Sequence, residues 1–271
     1  MSATSNKPHT GFTVVELLVA IVVISLLTTL IMTTLFNYYG ANVTSLGKTT
    51  QDTETTAVLR TIEKELSNAS LFSAQLGVSA TPLGPNSSAN PWSYRSNMAV
   101  DPDKHRVVIA TSYATDKPVS DNSRLVVFGD NGDGCDEAKK VPMRVSSIYF
   151  TAKDTTQPGD IYNLYRRTIV NPDNYAACPG NPAVQKQTCA TGVTNPICKG
   201  IDATLLRNVS TFAVDYFSSA NATSPIANQY DVTSESLINS AKSINITVTT
   251  QRKLDNKDTP STASIRISIP N

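Results

Sequence analysis

One segment limits what this chain can fold into more than any other. Residues 12–36 read FTVVELLVAIVVISLLTTLIMTTLF, and 18 of those 25 side chains are Ala, Val, Ile, Leu, Met or Phe. Between Lys7 and Lys48 there is no Lys or Arg, and the sole carboxylate is Glu16. A helix of that length reaches about 37 Å, enough to cross a hydrocarbon core with some tilt. A removable secretory signal has an apolar stretch of only about 7–15 residues, followed by a small-residue cleavage site. Nothing of that kind follows Phe36. The segment is therefore expected to be a retained membrane-spanning helix rather than a buried helix of a soluble core. Elsewhere the chain is polar, and its 23 basic and 22 acidic residues leave a formal charge of +1. That balance argues against a dedicated nucleic-acid-binding domain, which carries a strong basic excess. No fixed-period repeat is present.

Glu16 interrupts the apolar run, and a carboxylate in hydrocarbon costs several kcal/mol on most scales, so it needs a partner. Ahead of it lies a short polar leader, residues 1–11, with Lys7 as its only full positive charge among the side chains. The junction is Gly11-Phe12-Thr13-Val14-Val15-Glu16-Leu17-Leu18. This arrangement resembles the class III signal of type IV prepilins and pseudopilins: a Gly, then Phe-Thr, a Glu at the fifth mature position, and an unbroken apolar helix. The resemblance implies cleavage between Gly11 and Phe12 by a prepilin peptidase, a membrane aspartyl protease working on the cytoplasmic side. Gly11 suits that role because a residue without a side chain lets the protease approach the backbone. Methylation of the new Phe12 amine by the same enzyme is implied as well. Glu16 would then pair with the Phe12 ammonium of a neighbouring subunit. Opposite charges meeting in low dielectric offset the desolvation each suffers alone, so the pair can set subunit register. The helix-breaking Pro common near the middle of major pilin anchors is absent around Thr33.

Past Gly40 the chain turns polar, yet Val58, Leu59, Ile62, Leu66 and Ala69 recur at helical spacing, with Arg60, Glu63, Lys64 and Glu65 on the wetter face. An amphipathic continuation of the helix is expected over residues 37–75, with Gly40 and Gly47 as points of bending or fraying. A β-rich head follows over 76–271, opening with a Pro/Ser/Asn/Gly-rich loop at 76–92. Strands are expected at 106–113, 124–128, 145–151, 161–170 and 211–217. Two further strands show clean alternation, one through Ile244, Ile246 and Val248 and one through Ala263, Ile265, Ile267 and Ile269. A hairpin loop is expected to join that last pair at 252–261. The layout is α+β, a long helix packed on antiparallel sheet. More loosely, the C-terminal half resembles that of large minor pilins and J-type pseudopilins. Removing the leader would leave 271 − 11 = 260 residues, large for a bulk filament subunit.

The four cysteines, Cys135, Cys178, Cys189 and Cys198, all follow the anchor and contain no Cys-x-x-Cys pair. Two disulfides are expected on the outer side of the membrane, with three connectivities open. One bridge within 178–198 and one reaching Cys135 is preferred. The segment 129–137, GDNGDGCDE, crowds Asp130, Asp133 and Asp136 together. Calcium is the sharp possibility there, but the donors are out of step with an EF-hand-type loop, and a tight Asn-Gly/Asp-Gly turn is favoured. No catalytic constellation is visible: His9 lies in the leader, and His105 is expected to be a solvated loop residue. Arg166-Arg167 and Arg252-Lys253 are expected to be solvated on strand edges. The resemblance therefore implies a structural subunit, a minor pilin or pseudopilin, with no enzymatic activity and no cofactor. Its partners would be other such subunits, the prepilin peptidase, an inner-membrane assembly platform and the lipid bilayer. A second reading makes the head a surface adhesin or DNA-uptake receptor, with recognition in loops 76–92 or 172–199.

Overall fold

The computed structural model describes residues 13–76, 92–94, 104–118, 121–156, 160–170, 175–180, 182–226, 235–254 and 257–269. Helix α1 spans Val14–Leu66 without a break, passing through both Gly40 and Gly47. At 1.5 Å per residue its 53 residues extend about 80 Å. Its first half buries nothing, and Val14 to Leu46 present large apolar side chains to the surroundings. Among these the hydroxyls of Thr28, Thr29, Thr33 and Thr34 each donate to the carbonyl four residues back, at 2.8–2.9 Å. Those bonds satisfy the polar groups inside the helix itself, a requirement wherever water is absent.

The second half of α1 buries Gln51, Thr55, Leu59, Ile62 and Leu66, steps of three and four that keep one stripe inward. The helix stops at Leu66 rather than running on to residue 75. Ser67 and Asn68 turn their side chains back onto the Lys64 carbonyl (3.1 and 2.8 Å) and close the last turn. Ala69 is buried all the same, because the chain folds over the same core and enters the sheet.

Seven strands form one antiparallel sheet in which each strand lies beside the next in sequence: β1 (Leu71–Phe72), β2 (Val108–Tyr113), β3 (Arg144–Lys153), β4 (Tyr162–Val170), β5 (Ala203–Phe217), β6 (Ser243–Leu254) and β7 (Lys257–Ser268). Strand β5 is longer than the expected 211–217 and changes partner along its length. Its first half pairs with β4 and its second with β6, and its register shifts at three points. Asn208, at φ 58°, sits in that irregular stretch, a conformation Asn tolerates better than most residues. The free side of the second half is filled by segment 104–106, whose backbone exchanges bonds with Phe212 (2.6 and 2.9 Å). The β6–β7 pairing continues to Leu254 opposite Lys257, so the expected ten-residue loop at 252–261 is mostly strand; residues 255–256 lie outside the described residues.

The sheet is buried on both faces. Towards α1, Leu59, Ile62 and Leu66 pack with Phe72, Phe212, Val214, Ile244, Ile246 and Val248, and Ile238 of the short helix α2 (Glu235–Asn239) joins them. On the opposite face, Ile109, Ile148, Phe150 and Ile169 pack under Trp92. Each fully buried aliphatic or aromatic side chain contributes about 1.5–3 kcal/mol. Long excursions leave the meander between strands. One carries a short strand at Phe128–Asp130, displaced from the expected 124–128, which pairs with both Val141–Pro142 and Ala176–Ala177. Gly129 is enforced there, since a Cβ would come within 3.0 Å of the Ala176 carbonyl oxygen, Met143 and Tyr175.

Candidate functional site

The N-terminal junction is described from Thr13 onward; Gly11 and Phe12, where cleavage and methylation are expected, lie outside the described residues. Thr13 is the N-cap of α1. Its hydroxyl oxygen accepts the Glu16 backbone N–H at 3.3 Å, while a Glu16 carboxylate oxygen accepts the Thr13 N–H and hydroxyl, both at 3.0 Å. This reciprocal capping box satisfies two of the backbone donors a helix start leaves unpaired, and it places a negative charge at the positive end of the helix dipole. Thr13 was not singled out from the sequence, although Thr-x-x-Glu before an apolar run is the local signature of such a box. Glu16 is exposed in the single chain, as is the whole apolar surface that follows. At the far end of that surface stand Tyr38 and Tyr39, each 65% exposed and in edge contact, 6.4 Å between ring centroids. Amphipathic aromatics at such a position suit a membrane–water boundary.

In the head, Arg166, Arg167 and Arg252 are ion-paired rather than solvated edge residues, while the Lys253 side chain lies outside the described ones. Arg166 and Arg167 lie on β4, inside the sheet, and point to opposite faces. Arg166 pairs with Glu65 of α1, whose other carboxylate oxygen accepts the Tyr149 hydroxyl. Burial and the Glu65 charge push the Tyr149 hydroxyl well above its usual pKa. Arg167 is 1% exposed and forks onto Asp202 through Nε (3.0 and 3.1 Å) and Nη2 (2.6 Å). Its guanidinium lies 5.2 and 5.6 Å from the rings of Trp92 and Phe150. The Thr188 hydroxyl adds a further bond to Asp202, at 3.0 Å. Arg252 pairs with Glu54 of α1, tying the last hairpin to the helix. His105 is likewise buried, 2% exposed, stacked on Tyr162 and bonded through Nδ1 to the Thr151 hydroxyl at 3.0 Å. A single polar residue in a polar stretch gives no local sign of such burial.

The disulfides join Cys135 to Cys178 and Cys189 to Cys198. On chain-entropy grounds, their separations of 43 and 9 residues correspond to about 4 and 3 kcal/mol of restraint on the unfolded chain. They pin the described part of 172–199; residues 171–174 and 181, like 77–91 of the other expected recognition loop, lie outside the described residues. Among the described residues no group of three or more His, Cys, Asp or Glu side chains is arranged to hold a metal ion. Asp130 is engaged in its own turn, one carboxylate oxygen accepting the N–H groups of Gly132 and Gly134, both at 2.7 Å. Both glycines have positive φ, 107° and 102°.

The Gly132 and Gly134 N–H groups hold the Asp130 carboxyl below the usual carboxylate range. A folded-state pKa below the unfolded one gives stability above the unfolded value, and that stability is lost as pH falls through the folded value. Asp130→Ala is therefore expected to lower urea stability at pH 7, with the difference shrinking as pH is lowered through and below the ordinary carboxylate range, where wild type progressively loses the ionised cap. A difference that stays constant across that interval would exclude the charge as its source.

The sequence comparisons bear on the N-terminal end. Residues 6–32 match the family model described as the prokaryotic N-terminal methylation motif. No curated protein and no solved structure gives a significant match to the chain. The matched region takes in Gly11, Phe12, the Thr13–Glu16 capping box and the start of the exposed apolar helix. The chain thus carries the methylation motif that forms the class III signal of type IV pilins, which supports its place in the pilin/pseudopilin family as a type IV pilin-like subunit.

Proposed function

We propose that this protein is a minor structural subunit, a minor pilin or pseudopilin, of a type IV pilus or a related secretion filament. The observation that carries this reading is the junction Gly11-Phe12-Thr13-Val14-Val15-Glu16 set against an exposed apolar helix half that packs on none of the described residues of its own head. Before assembly, residues 12–36 would hold the chain in the cytoplasmic membrane as a single span. The head would stand on the extracytoplasmic side, an oxidising setting in which two disulfides persist. Processing by a prepilin peptidase would remove residues 1–11 and free the Phe12 amine for methylation. Glu16 would then meet the Phe12 ammonium of an adjacent subunit as the helix leaves the bilayer for the filament. The size of the head favours a minor rather than a bulk subunit. A fibre core built from such helices needs no catalytic group, and the role proposed is structural.

The test is intact-mass measurement of the full chain expressed with and without a prepilin peptidase. Loss of residues 1–11 should occur only with the peptidase, and Gly11→Lys should block it almost completely, because a long charged side chain now stands at the scissile bond. A chain left at full mass beside a peptidase that processes a control prepilin would refute the reading.

A further inference from the structure

The two disulfides stand in different surroundings. Cys189 is 2% exposed, and its carbonyl accepts the backbone N–H of Asp202 at 2.9 Å, so that bridge is joined to the buried Arg167–Asp202 pair. It lies within one excursion, between β4 and β5. Cys135 is exposed and Cys178 half-buried, and both line a cavity of about 400 Å³. Their bridge joins two excursions, the one between β2 and β3 and the one between β4 and β5.

Among the described residues, the other ties between these excursions are slight. The strand Phe128–Asp130 meets Ala176–Ala177 over two residue pairs, and Cys178 donates its N–H to the Phe128 carbonyl at 3.1 Å. A second contact joins Thr115 to Val184 and Gln185, through bonds of 2.8–3.1 Å. The apolar cluster at this junction buries Ala114, Val127 and Met143, with Ala183 packed against it. Short strands over a small apolar cluster are the marks of a segment that opens apart from its core. Covalent closure therefore carries much of the connection.

We propose that the Cys135–Cys178 bridge is a thiol–disulfide exchange site, a clasp that an external dithiol opens, whereas Cys189–Cys198 is a permanent bridge. Exchange depends on access to the sulfur as well as on the attacking thiolate, so exposure selects the first bridge. One thiolate of the dithiol attacks the Cys135 Sγ. The S–S bond breaks, and Cys178 leaves as a thiolate that takes a proton from water. The second thiolate of the reagent then attacks the mixed disulfide and releases Cys135, which is protonated in turn. The dithiol ends as a disulfide, and the protein has gained two electrons and two protons. With the clasp open, the two excursions separate while β2, β3 and β4 stay paired in the sheet. The proposal goes beyond the filament reading and does not depend on it, since an unprocessed chain would still carry both bridges.

The experiment is graded reduction of the full chain in detergent micelles with dithiothreitol, without denaturant. Samples are quenched with iodoacetamide and mapped by peptide mass, and amide hydrogen exchange is measured in parallel. Cys135 and Cys178 should be alkylated at least about tenfold faster than Cys189 and Cys198. Exchange should rise at 128–130, 141–142 and 175–178 but not along β3 and β4, and Trp92 fluorescence should hold. With β-mercaptoethanol the mixed disulfide should be found on Cys135 and the alkyl group on Cys178. The double variant Cys135→Ser, Cys178→Ser should reproduce the exchange pattern of the opened clasp; if it does not fold, graded reduction of the wild type decides alone. Equal rates at the two bridges, earlier reduction of Cys189–Cys198, unchanged exchange after reduction, or loss of protection throughout the sheet would each overturn the assignment.

Discussion

Asp202→Ala is expected to cost the head about 3–5 kcal/mol, the usual penalty for leaving a buried charge without its partner. The Arg167 guanidinium is 1% exposed and Asp202 is its bidentate partner, so truncating the carboxylate removes the anionic acceptor of a buried positive charge that lies against Trp92 and Phe150. Thr188 also loses its acceptor. Trp92 is the only tryptophan and lies against the guanidinium, so its fluorescence during urea unfolding reports on the affected site directly. The double variant Arg167→Met, Asp202→Leu separates the two contributions. Removing both charges in favour of apolar volume should recover most of the loss, because a buried ion pair often adds little net stability over a well-packed apolar pair. If the double variant proves as unstable as Asp202→Ala, the loss comes from packing around Asp202 rather than from the stranded charge.

That pair marks where sequence reasoning reached its limit. Arg167 and Asp202 are 35 residues apart, and neither has neighbours that signal burial. A basic doublet inside alternating residues looks like a wet strand edge until the sheet places β4 at its centre. His105 misleads in the same way, since the backbone pairing that buries it is with Phe212, far along the chain. Local signals fared better. Period-two alternation located β6 and β7 because both bury one face against α1, and the 3.6 period located the second half of α1 because it packs on that sheet. The end of that helix was misplaced for a physical reason: Ala69 extends the apolar stripe yet is buried from a turn, so periodicity continues after the helix has stopped. At the N-terminal end, residue order alone carries the methylation motif over residues 6–32, while the roles of Gly11, Phe12 and Glu16 within it stand as proposed. The engagement of Glu16 with Thr13 is a matter of geometry, although its four-residue signature was in plain view.

Glu16→Gln should leave processing intact and reduce incorporation into filaments on the order of a hundredfold, the equilibrium equivalent of about 3 kcal/mol. The substitution is chosen because a glutamine at the third helical position can still accept the Thr13 N–H and close the capping box. Helix initiation is thereby preserved, and what disappears is the negative charge. Thr13→Ala makes the converse change. It removes the hydroxyl that caps the Glu16 N–H, at a typical cost of about 0.5–2 kcal/mol to the helix start, and keeps the charge. The ratio of subunit in sheared filaments to subunit in membranes, measured for both variants beside a peptidase-processed wild type, sets the two roles against each other. If charge pairing drives assembly, Glu16→Gln falls far below Thr13→Ala. If the ordered helix start is what matters, the order reverses, and the proposed pairing of Glu16 with a neighbour's amine has to be abandoned. In the single chain the Glu16 carboxylate already has donors of its own, so a neighbouring ammonium must out-compete a neutral N–H and hydroxyl. A full positive charge in low dielectric meets that condition, because charge-assisted hydrogen bonds are roughly twice as strong as neutral ones.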